Sequence, residues 1–539
     1  MATRKKLTQG ESVLTTVQFL DESEGNPGTS IESSIDLLVS SDENPGNAYV
    51  SRAGEGSYDL RKRDEIAARR RQQHITAENT EFIVISFEGP DRYSMAGGLG
   101  VRVTNLSSTL ASQGFPVHFI FVGDPRRNGE EIRSGGKLIL HRWCQWISEY
   151  YPDGVYHGEN EKLYDFNESL PWFVAEHIVR PAVDQGKLVT ILGEEWHTTE
   201  AMCRISDVLH ANGLRDKVVM FWNANNTFSF HRINWGRLAY ATAITTVSRY
   251  MKQLMWRMGQ NPFVIPNGIP KSLLDKVNSN LVARVRKNLG SDLILSKIAR
   301  WDPDKRWNMA VEATAKLKAR GLRPILLARG GIEPHGEEVM YNARSLGLTV
   351  EDVTTQGNSL ADYLQAIEAH GRADILNIKF HCPQEFLRII YQASDAVLAN
   401  SGHEPFGLVG LEAMAAEGIA VTGGTGEDYA VPFYNAIVLE TSDPAEMEAY
   451  VMYIQEHSEE KERIRKAARQ TASLFTWEAV IKNMIQKLEY QARVQGLLTT
   501  PRKDPASELR PAETECAVQR PAELQRAVPG RETVLAGTV

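Results

Sequence analysis

Two glutamates, Glu404 and Glu412, are separated by seven residues in the stretch N-S-G-H-E-P-F-G-L-V-G-L-E at 400–412. An apolar strand-like run, A-V-L-A-N, feeds into this stretch, and a β-branched segment from Ile419 to Thr422 follows it. The spacing predicts a strand-end loop, a helix opening near Gly407 and a further strand. A helix opening offers unpaired backbone N–H groups and the positive end of the helix dipole, so it suits a phosphate. Glu404 would then face whatever the phosphate carries. Two cations stand in a comparable position earlier in the chain. Arg300 ends the apolar run L-I-L-S-K-I-A-R, and Lys305 follows in W-D-P-D-K. A third cluster, Gly97, Gly98 and Gly100, lies between an apolar strand and a helical stripe of Val103, Leu106 and Leu110. Glycines there let a backbone approach a ligand closely. The spacing is not the dinucleotide fingerprint, because Val103 takes the third glycine's place. His197, in E-E-W-H-T-T, follows the strand L-V-T-I-L-G, and open α/β sheets hold ligands at the carboxyl ends of their strands.

The elements that would position these groups are continuous apolar runs of the kind buried on both faces of a parallel sheet. They recur at 81–87, 115–123, 188–193, 218–223, 243–248 and 263–268, and again, after Pro270, at 293–300, 324–330, 375–380 and 396–400. The pattern predicts an α/β protein with two parallel-sheet domains and a ligand cleft between them. We place the first domain at 80–270, the second at 271–475 and a terminal helix at 476–498 that packs back toward the first. Residues 335–372 read as a charged helical insertion or pair. Residues 1–79, rich in Ser, Glu, Asp, Asn and Gly and then basic, and residues 499–539, rich in Pro, Ala, Glu and Arg, read as disordered tails. Between 140 and 175, Trp and Tyr are dense and mixed with polar groups, a composition suited to stacking on sugar rings as well as to core packing.

Composition removes several classes. A chain of 539 residues exceeds one ordinary core. A net charge of −8 gives no reason to expect a nucleic-acid partner. The four cysteines, Cys144, Cys203, Cys382 and Cys516, form no C-x-x-C pair, which argues against a zinc site or a disulfide framework. No apolar run approaches a membrane span, and no apolar segment follows the basic N-terminus. The expectation is a cytoplasmic protein.

Four motifs, in order, carry a family resemblance. G-G-L-G at 97–100 resembles an amino-domain phosphate loop, E-E-W-H-T-T at 194–199 the D-W-H-T region of glycogen and starch synthases, S-K-I-A-R-W-D-P-D-K at 296–305 the G-R-L-x-x-x-K strand and loop, and E-P-F-G-L-V-G-L-E at 404–412 the E-x7-E motif. From about 81 to 495 the chain resembles a retaining glycosyltransferase of the two-domain GT-B fold, of the group 1 (family 4) type. The resemblance implies transfer of a hexosyl, in particular glucosyl, group from a UDP-, ADP- or GDP-linked sugar to a carbohydrate or small-molecule acceptor, with no cofactor and no metal. It implies that Glu404 contacts the donor sugar and Glu412 the ribose. Arg300 and Lys305 would neutralise the diphosphate, aided by the amides of Gly407, Leu408 and Val409 and by Gly98 and Gly100 from the other domain. His197 would bond the transferred sugar near its anomeric carbon. Glucan elongation of the glycogen-synthase kind is an alternative, but those synthases carry a Lys before G-G-L-G where this chain has Met95 and Ala96. A carbohydrate-binding protein that kept the fold without catalysis is a second alternative; the joint presence of Arg300, Lys305, Glu404 and Glu412 speaks against it.

Overall fold

The computed structural model describes residues 73–499. The two tail assignments fall mainly outside this range, at 1–72 and 500–539. Residues 73–79 do belong to the described part: Ile75 is buried, and its N–H donates to Glu489 Oε1 at 3.0 Å on the terminal helix.

Two sheets organise the described chain. The first holds β1 (Thr80–Ile85), β2 (Val117–Val122), β3 (Glu130–Arg133), β4 (Leu138–Trp143), β5 (Leu188–Glu194), β6 (Val218–Ala224), β7 (Ala243–Thr246) and β8 (Phe263–Val264), in the order β3-β4-β2-β1-β5-β6-β7-β8. Only the edge pair β3–β4 is antiparallel. The second holds β9 (Leu293–Ile298), β10 (Pro324–Arg329), β11 (Val350–Val353), β12 (Ile375–Ile378), β13 (Ala396–Ala399), β14 (Ala420–Thr422) and β15 (Ile437–Val438), in the order β11-β12-β10-β9-β13-β14-β15. Its pairings are all parallel. The apolar runs form central strands because both faces are covered: every residue of β1, β5 and β6 is buried. In both sheets the strand order reverses beside the first strand, β1 or β9, which opens a crevice at the carboxyl edge. The architecture is the GT-B arrangement, two Rossmann-like domains facing a cleft.

One reading of the fold needs correction. Residues 335–372 are not purely helical, because β11 lies between the helices His335–Ser345 and Leu360–Glu368 and pairs with β12. As an edge strand with the sequence V-E-D-V it exposes two acidic residues, which masks the apolar run. The aromatic stretch also begins with a strand, β4, whose His141 and Arg142 are buried.

Helices α1 (Gly98–Ser112), α3 (Arg249–Trp256) and α4 (Leu408–Ala415) contribute to the cleft, while α2 (Glu159–Phe173) and α5 (Trp477–Val494) pack outside it. Helix α5 returns to the first domain. Trp477, Val480, Ile481, Met484 and Leu488 join a core cluster with Phe82, Val84, Val103 and Leu106. At the crossover, Ile269 and the α5 entrance exchange backbone bonds, with Ile269 N donating to Phe475 O at 2.9 Å and Trp477 N to Ile269 O at 3.0 Å. Among the described residues no helix is long and apolar enough to cross a membrane.

Candidate functional site

A cavity of about 750 Å³ opens between the two domains. Its second-domain wall brings Arg300, Lys305, Glu404, Gly407, Leu408 and Val409 together, and Gly98 lines it from the first domain. Gly100, His197 and Glu412 do not line it.

The cationic side is set by β9 and the turn that follows. Trp301 and Trp307 pack with ring centroids 4.0 Å apart, and Trp307 Nε1 donates to Arg300 O at 2.7 Å, which fixes the backbone of Arg300. The guanidinium itself is exposed and has no hydrogen-bond or ion-pair partner among the described residues. Asp302 caps a 3-10 turn, Pro303–Lys305, by accepting from Asp304 N, and Arg306 leaves that turn with φ 49°. Lys305 thereby reaches across to Glu404, Nζ to Oε2, at 2.7 Å. Behind this pair sits Lys297, unremarked in the sequence. It is buried, donates to Asn400 Oδ1 at 2.6 Å and to Leu398 O at 3.1 Å, and burial, with Lys305 nearby, pushes its ammonium down to about 7.

The opening of α4 is formed as the spacing predicts. Gly407 adopts φ 78°, a left-handed conformation that L side chains rarely take, and Tyr429 OH donates to its carbonyl. No acceptor meets the amides of Gly407, Leu408 or Val409 among the described residues. The loop before it needs a second glycine for a different reason. A Cβ at Gly423 would lie 1.8 Å from Ser401 O, so β14 can approach the Ser401 loop only without a side chain. Glu412 is one turn further into α4, where desolvation raises its carboxyl to about 7. Glu427 packs under Gly407, buried, and accepts from Thr425 N at 2.9 Å. Burial pushes it up to about 7, and Glu404 adds to the rise.

The opening of α1 is different. Glu88, buried at the end of the β1 segment, fills it. Its Oε2 accepts from the amides of Ala96 at 3.1 Å, Gly97 at 2.9 Å and Gly100 at 3.0 Å, while Tyr156 OH donates to Oε1 at 2.6 Å. The Gly100 amide is therefore already occupied by a carboxylate, and the expectation that it faces a diphosphate is corrected on that ground. Gly98 keeps its place on the cavity wall.

Beside α1, Arg102 is buried and held in a fork by Glu194, Nε to Oε2 at 3.0 Å and Nη2 to Oε1 at 3.1 Å; its Nη1 donates to Asn267 Oδ1 at 2.5 Å. Glu195, next in sequence, has φ 67° and is fully buried. Its Oε1 accepts from the amides of Asn225 at 2.6 Å and Asn226 at 3.2 Å, and burial still pushes the carboxyl up to about 7. A non-glycine residue held at positive φ is strain that the surrounding structure must over-determine, a pattern that clusters at functional sites.

His197 follows on the short turn Trp196–Thr198. Its ring stacks on Phe87, centroids 4.4 Å apart, and Nε2 lies 2.7 Å from Glu159 Oε1 at the start of α2. Burial pushes the imidazole down to about 4, with Glu159 opposing the fall, and Nδ1 is buried without a partner. The structure thus sets His197 behind the cavity wall. His231 is exposed. Among the described residues, Arg249 N donates across the cleft to Asp428 Oδ2 at 2.7 Å, and Tyr250 OH lies 3.2 Å from His403 Nδ1.

Residues 277–471 match the family of glycosyl transferases group 1. Arg300, Lys305, Glu404 and Glu412 all fall inside the match. A D-inositol 3-phosphate glycosyltransferase from Geodermatophilus obscurus is 27% identical over 270 residues, 48% of this chain and 55% of that protein. This chain thus spans about half the length of that relative. Among solved structures, a sucrose-phosphate synthase from Thermosynechococcus elongatus aligns with a TM-score of 0.54 at 18% identity, over 77% of this chain and 100% of that one. The catalytic domain of starch synthase IV from Arabidopsis thaliana, bound to ADP and acarbose, aligns at 0.53 and 15% identity, over 76% and 99%. Anabaena HepE in complex with UDP aligns at 0.51 and 15% identity, over 76% and 100%. These likenesses establish the fold.

Missing from the sequence reading were Glu88, Lys297, Glu194 and Glu195. Adjacent glutamates at a strand end, and a lysine inside an apolar strand, were the available signals for the last three. Glu88 gave none, because its role depends on a contact with amides eight to twelve residues away.

Proposed function

We propose that this chain is a retaining hexosyltransferase that moves a glucosyl group from a nucleoside-diphosphate sugar to a carbohydrate or small-molecule acceptor. The observation that carries the proposal is the wall where an unpaired Arg300, the Lys305–Glu404 pair and the free amides at the opening of α4 converge on one cavity. In the proposed step, the bond from the anomeric carbon to the outer diphosphate oxygen breaks. Negative charge grows on that oxygen, where fixed cations and oriented amides stabilise it without reorganising. The sugar gains oxocarbenium character, and a carboxylate such as Glu404 is suited to face it. The acceptor oxygen attacks from the side the diphosphate leaves, its proton passes to the leaving oxygen, and the configuration is kept. Arg300 and Lys305 supply the charge that a metal would otherwise bring, so the reading is metal-independent. Glu412, one turn into α4, is assigned to the ribose.

The Geodermatophilus relative is named for inositol 3-phosphate. Here Glu88 fills the opening of α1, so the amides there are already taken and do not receive an anion. This supports an acceptor that brings hydroxyl groups, and not a phosphate, to the first-domain side.

The test is nucleotide release from UDP-, ADP- and GDP-linked sugars, with and without a panel of sugar and cyclitol acceptors, in buffers with EDTA and with divalent cations. Acceptor-dependent release unaffected by EDTA, giving an α-linked product from an α-linked donor, is expected. Tight nucleotide-sugar binding with no turnover for any pair would overturn it in favour of a binding protein.

A further inference from the structure

Away from the cleft, a groove of about 690 Å³ runs between the helix Gln145–Ser148, the segment after it, and α2. Four aromatic rings line it; Tyr151 is half-buried, and three face solvent: Trp146 is 63% exposed, Tyr150 77% and Tyr164 70%. Exposed rings of this size, gathered at one place, call for a partner. None of the three makes a ring contact with another aromatic among the described residues, so they are separate platforms and not a box closed around a point charge. Core packing does not explain them either, since the inward face of α2 is supplied by Phe166 and Leu170, which are fully buried.

The polar groups along the same groove decide what those platforms hold. Asn160, Glu161, Asp165 and Glu168 line it from α2, and no Lys or Arg does. Asn160, Tyr164 and Glu168 recur every four residues, one above another on a helix face. Aromatic faces alternating with amide and carboxylate acceptors suit pyranose rings, whose C–H faces stack while their hydroxyls donate. The excess of acceptors, with no cation among the lining residues, disfavours phosphate or other anionic ligands. Glu168 is itself held by Arg204 at 2.6 Å, which fixes one acceptor in place.

The groove lies on the same helix as the residue that holds His197. Its stripe on α2 starts at Asn160, one residue after Glu159, whose carboxylate holds His197. From Glu159 to Glu168 the helix rises about 13 Å. We infer that this groove binds a neutral oligosaccharide, a second holding point along α2 for a chain of the acceptor class, apart from the cleft. The inference rests on the proposed carbohydrate acceptor, but the groove is a site distinct from the one that holds the donor.

The experiment uses the full chain and two neutral probes, maltohexaose and cellohexaose, titrated by calorimetry and by intrinsic tryptophan fluorescence. Binding of at least one probe at millimolar or lower concentration is expected, weakened about two- to tenfold by each of Trp146→Ala, Tyr150→Ala and Tyr164→Ala. Trp146→Phe, which keeps a ring, should retain most of the affinity. Nucleotide release from the donor with a monosaccharide acceptor should be unchanged in all four variants, so a loss of oligosaccharide binding is separable from a failure of the transferase reading. Equal binding by wild type and the triple alanine variant would overturn the proposal, as would no binding of either probe. Capture of a lysine-rich peptide in place of both probes would also overturn it and assign the acidic, aromatic groove to a cationic partner.

Discussion

Glu412→Gln isolates the cost of placing a carboxylate inside α4. Desolvation raises the Glu412 carboxyl from its ordinary 4.5 to about 7. A group with a raised folded-state pKa binds its proton more tightly in the folded than in the unfolded chain. It therefore favours folding at acid pH, and that contribution is lost as the pH rises through about 7. The gap between 4.5 and about 7 corresponds to about 3 kcal/mol, an upper bound because the carboxylate keeps partial contact with solvent. Glutamine carries no charge to desolvate. Glu412→Gln should be within about 0.5 kcal/mol of wild type near pH 4.5 and more stable by as much as about 3 kcal/mol at pH 8, a rise in melting temperature of about 3 °C for a chain of this size. Glu195 and Glu427 are also raised to about 7, and Lys297 is lowered to about 7, so the wild-type curve alone assigns nothing. The difference between mutant and wild type removes those shared groups. The measurement is urea or thermal unfolding of both proteins at half-unit intervals from pH 4.5 to 8.5, without nucleotide. A difference that stays flat across this range, or a mutant less stable at pH 8, would refute the desolvation argument. In the proposed enzyme the same substitution should raise the donor KM about tenfold, stability gained at the expense of a binding group.

Arg300→Ala should leave the melting temperature within about 1 °C, since the guanidinium is exposed and unpartnered, while lowering turnover at least about 100-fold. Circular dichroism and nucleotide release check the two halves separately. Lys305→Ala removes the partner of Glu404 and should lose comparable turnover together with about 1 kcal/mol of stability in denaturant unfolding. Glu88→Ala strips the carboxylate from three amides and one phenol; it should cost about 1–3 kcal/mol and create a sulfate-stabilised state, seen as a larger rise in melting temperature with sodium sulfate than wild type shows. Asp428→Ala uncaps the first turn of α3 across the cleft, and should increase protease cutting or hydrogen exchange around Arg249 without changing the core strands.

The sheets were legible because buried parallel strands carry continuous apolar runs, and T-E-F-I-V-I and V-V-M-F-W-N-A have no other use. The second-domain wall was legible for a related reason. Arg300, Lys305, Glu404 and Gly407 sit on short connections at fixed distances from strand ends, so sequence spacing becomes spatial spacing. That logic failed where a residue acts at long range or on an edge. Strand β11 carries its own acids outward, Glu351 and Asp352, and so reads as part of a charged helical stretch. His197 follows a strand end as expected, yet the turn after Glu195 directs it onto Phe87 and Glu159 instead of the cavity. The composition of the aromatic stretch could not separate Phe166, which is buried, from Tyr164, which is not, because the difference lies in helix phase and in what α2 packs against.

The two helix openings that face the cleft give it an asymmetry with chemical consequences. Both belong to strand–loop–helix units, and both were read as anion sites. At α4 the amides are unpaired: Glu427, packed under Gly407, accepts from Thr425 N, and Glu404 is held aside by Lys305. At α1 the amides of Ala96, Gly97 and Gly100 already bond to Glu88, itself fixed by Tyr156. An anion placed at α1 would have to displace a buried carboxylate that has no other partner of comparable strength, at a cost of several kcal/mol. At α4 it would meet free donors and Arg300. In the proposed reaction the diphosphate is therefore drawn to the second domain, and the first domain is left to recognise hydroxyls with the amide, hydroxyl and aromatic groups of Asn225, Asn226, Thr227, Phe228 and Tyr250. The single substitution Glu88→Ala removes that distinction, and the ratio of phosphorylated to unphosphorylated acceptor used by wild type and variant measures how much of the proposed enzyme's selectivity it carries.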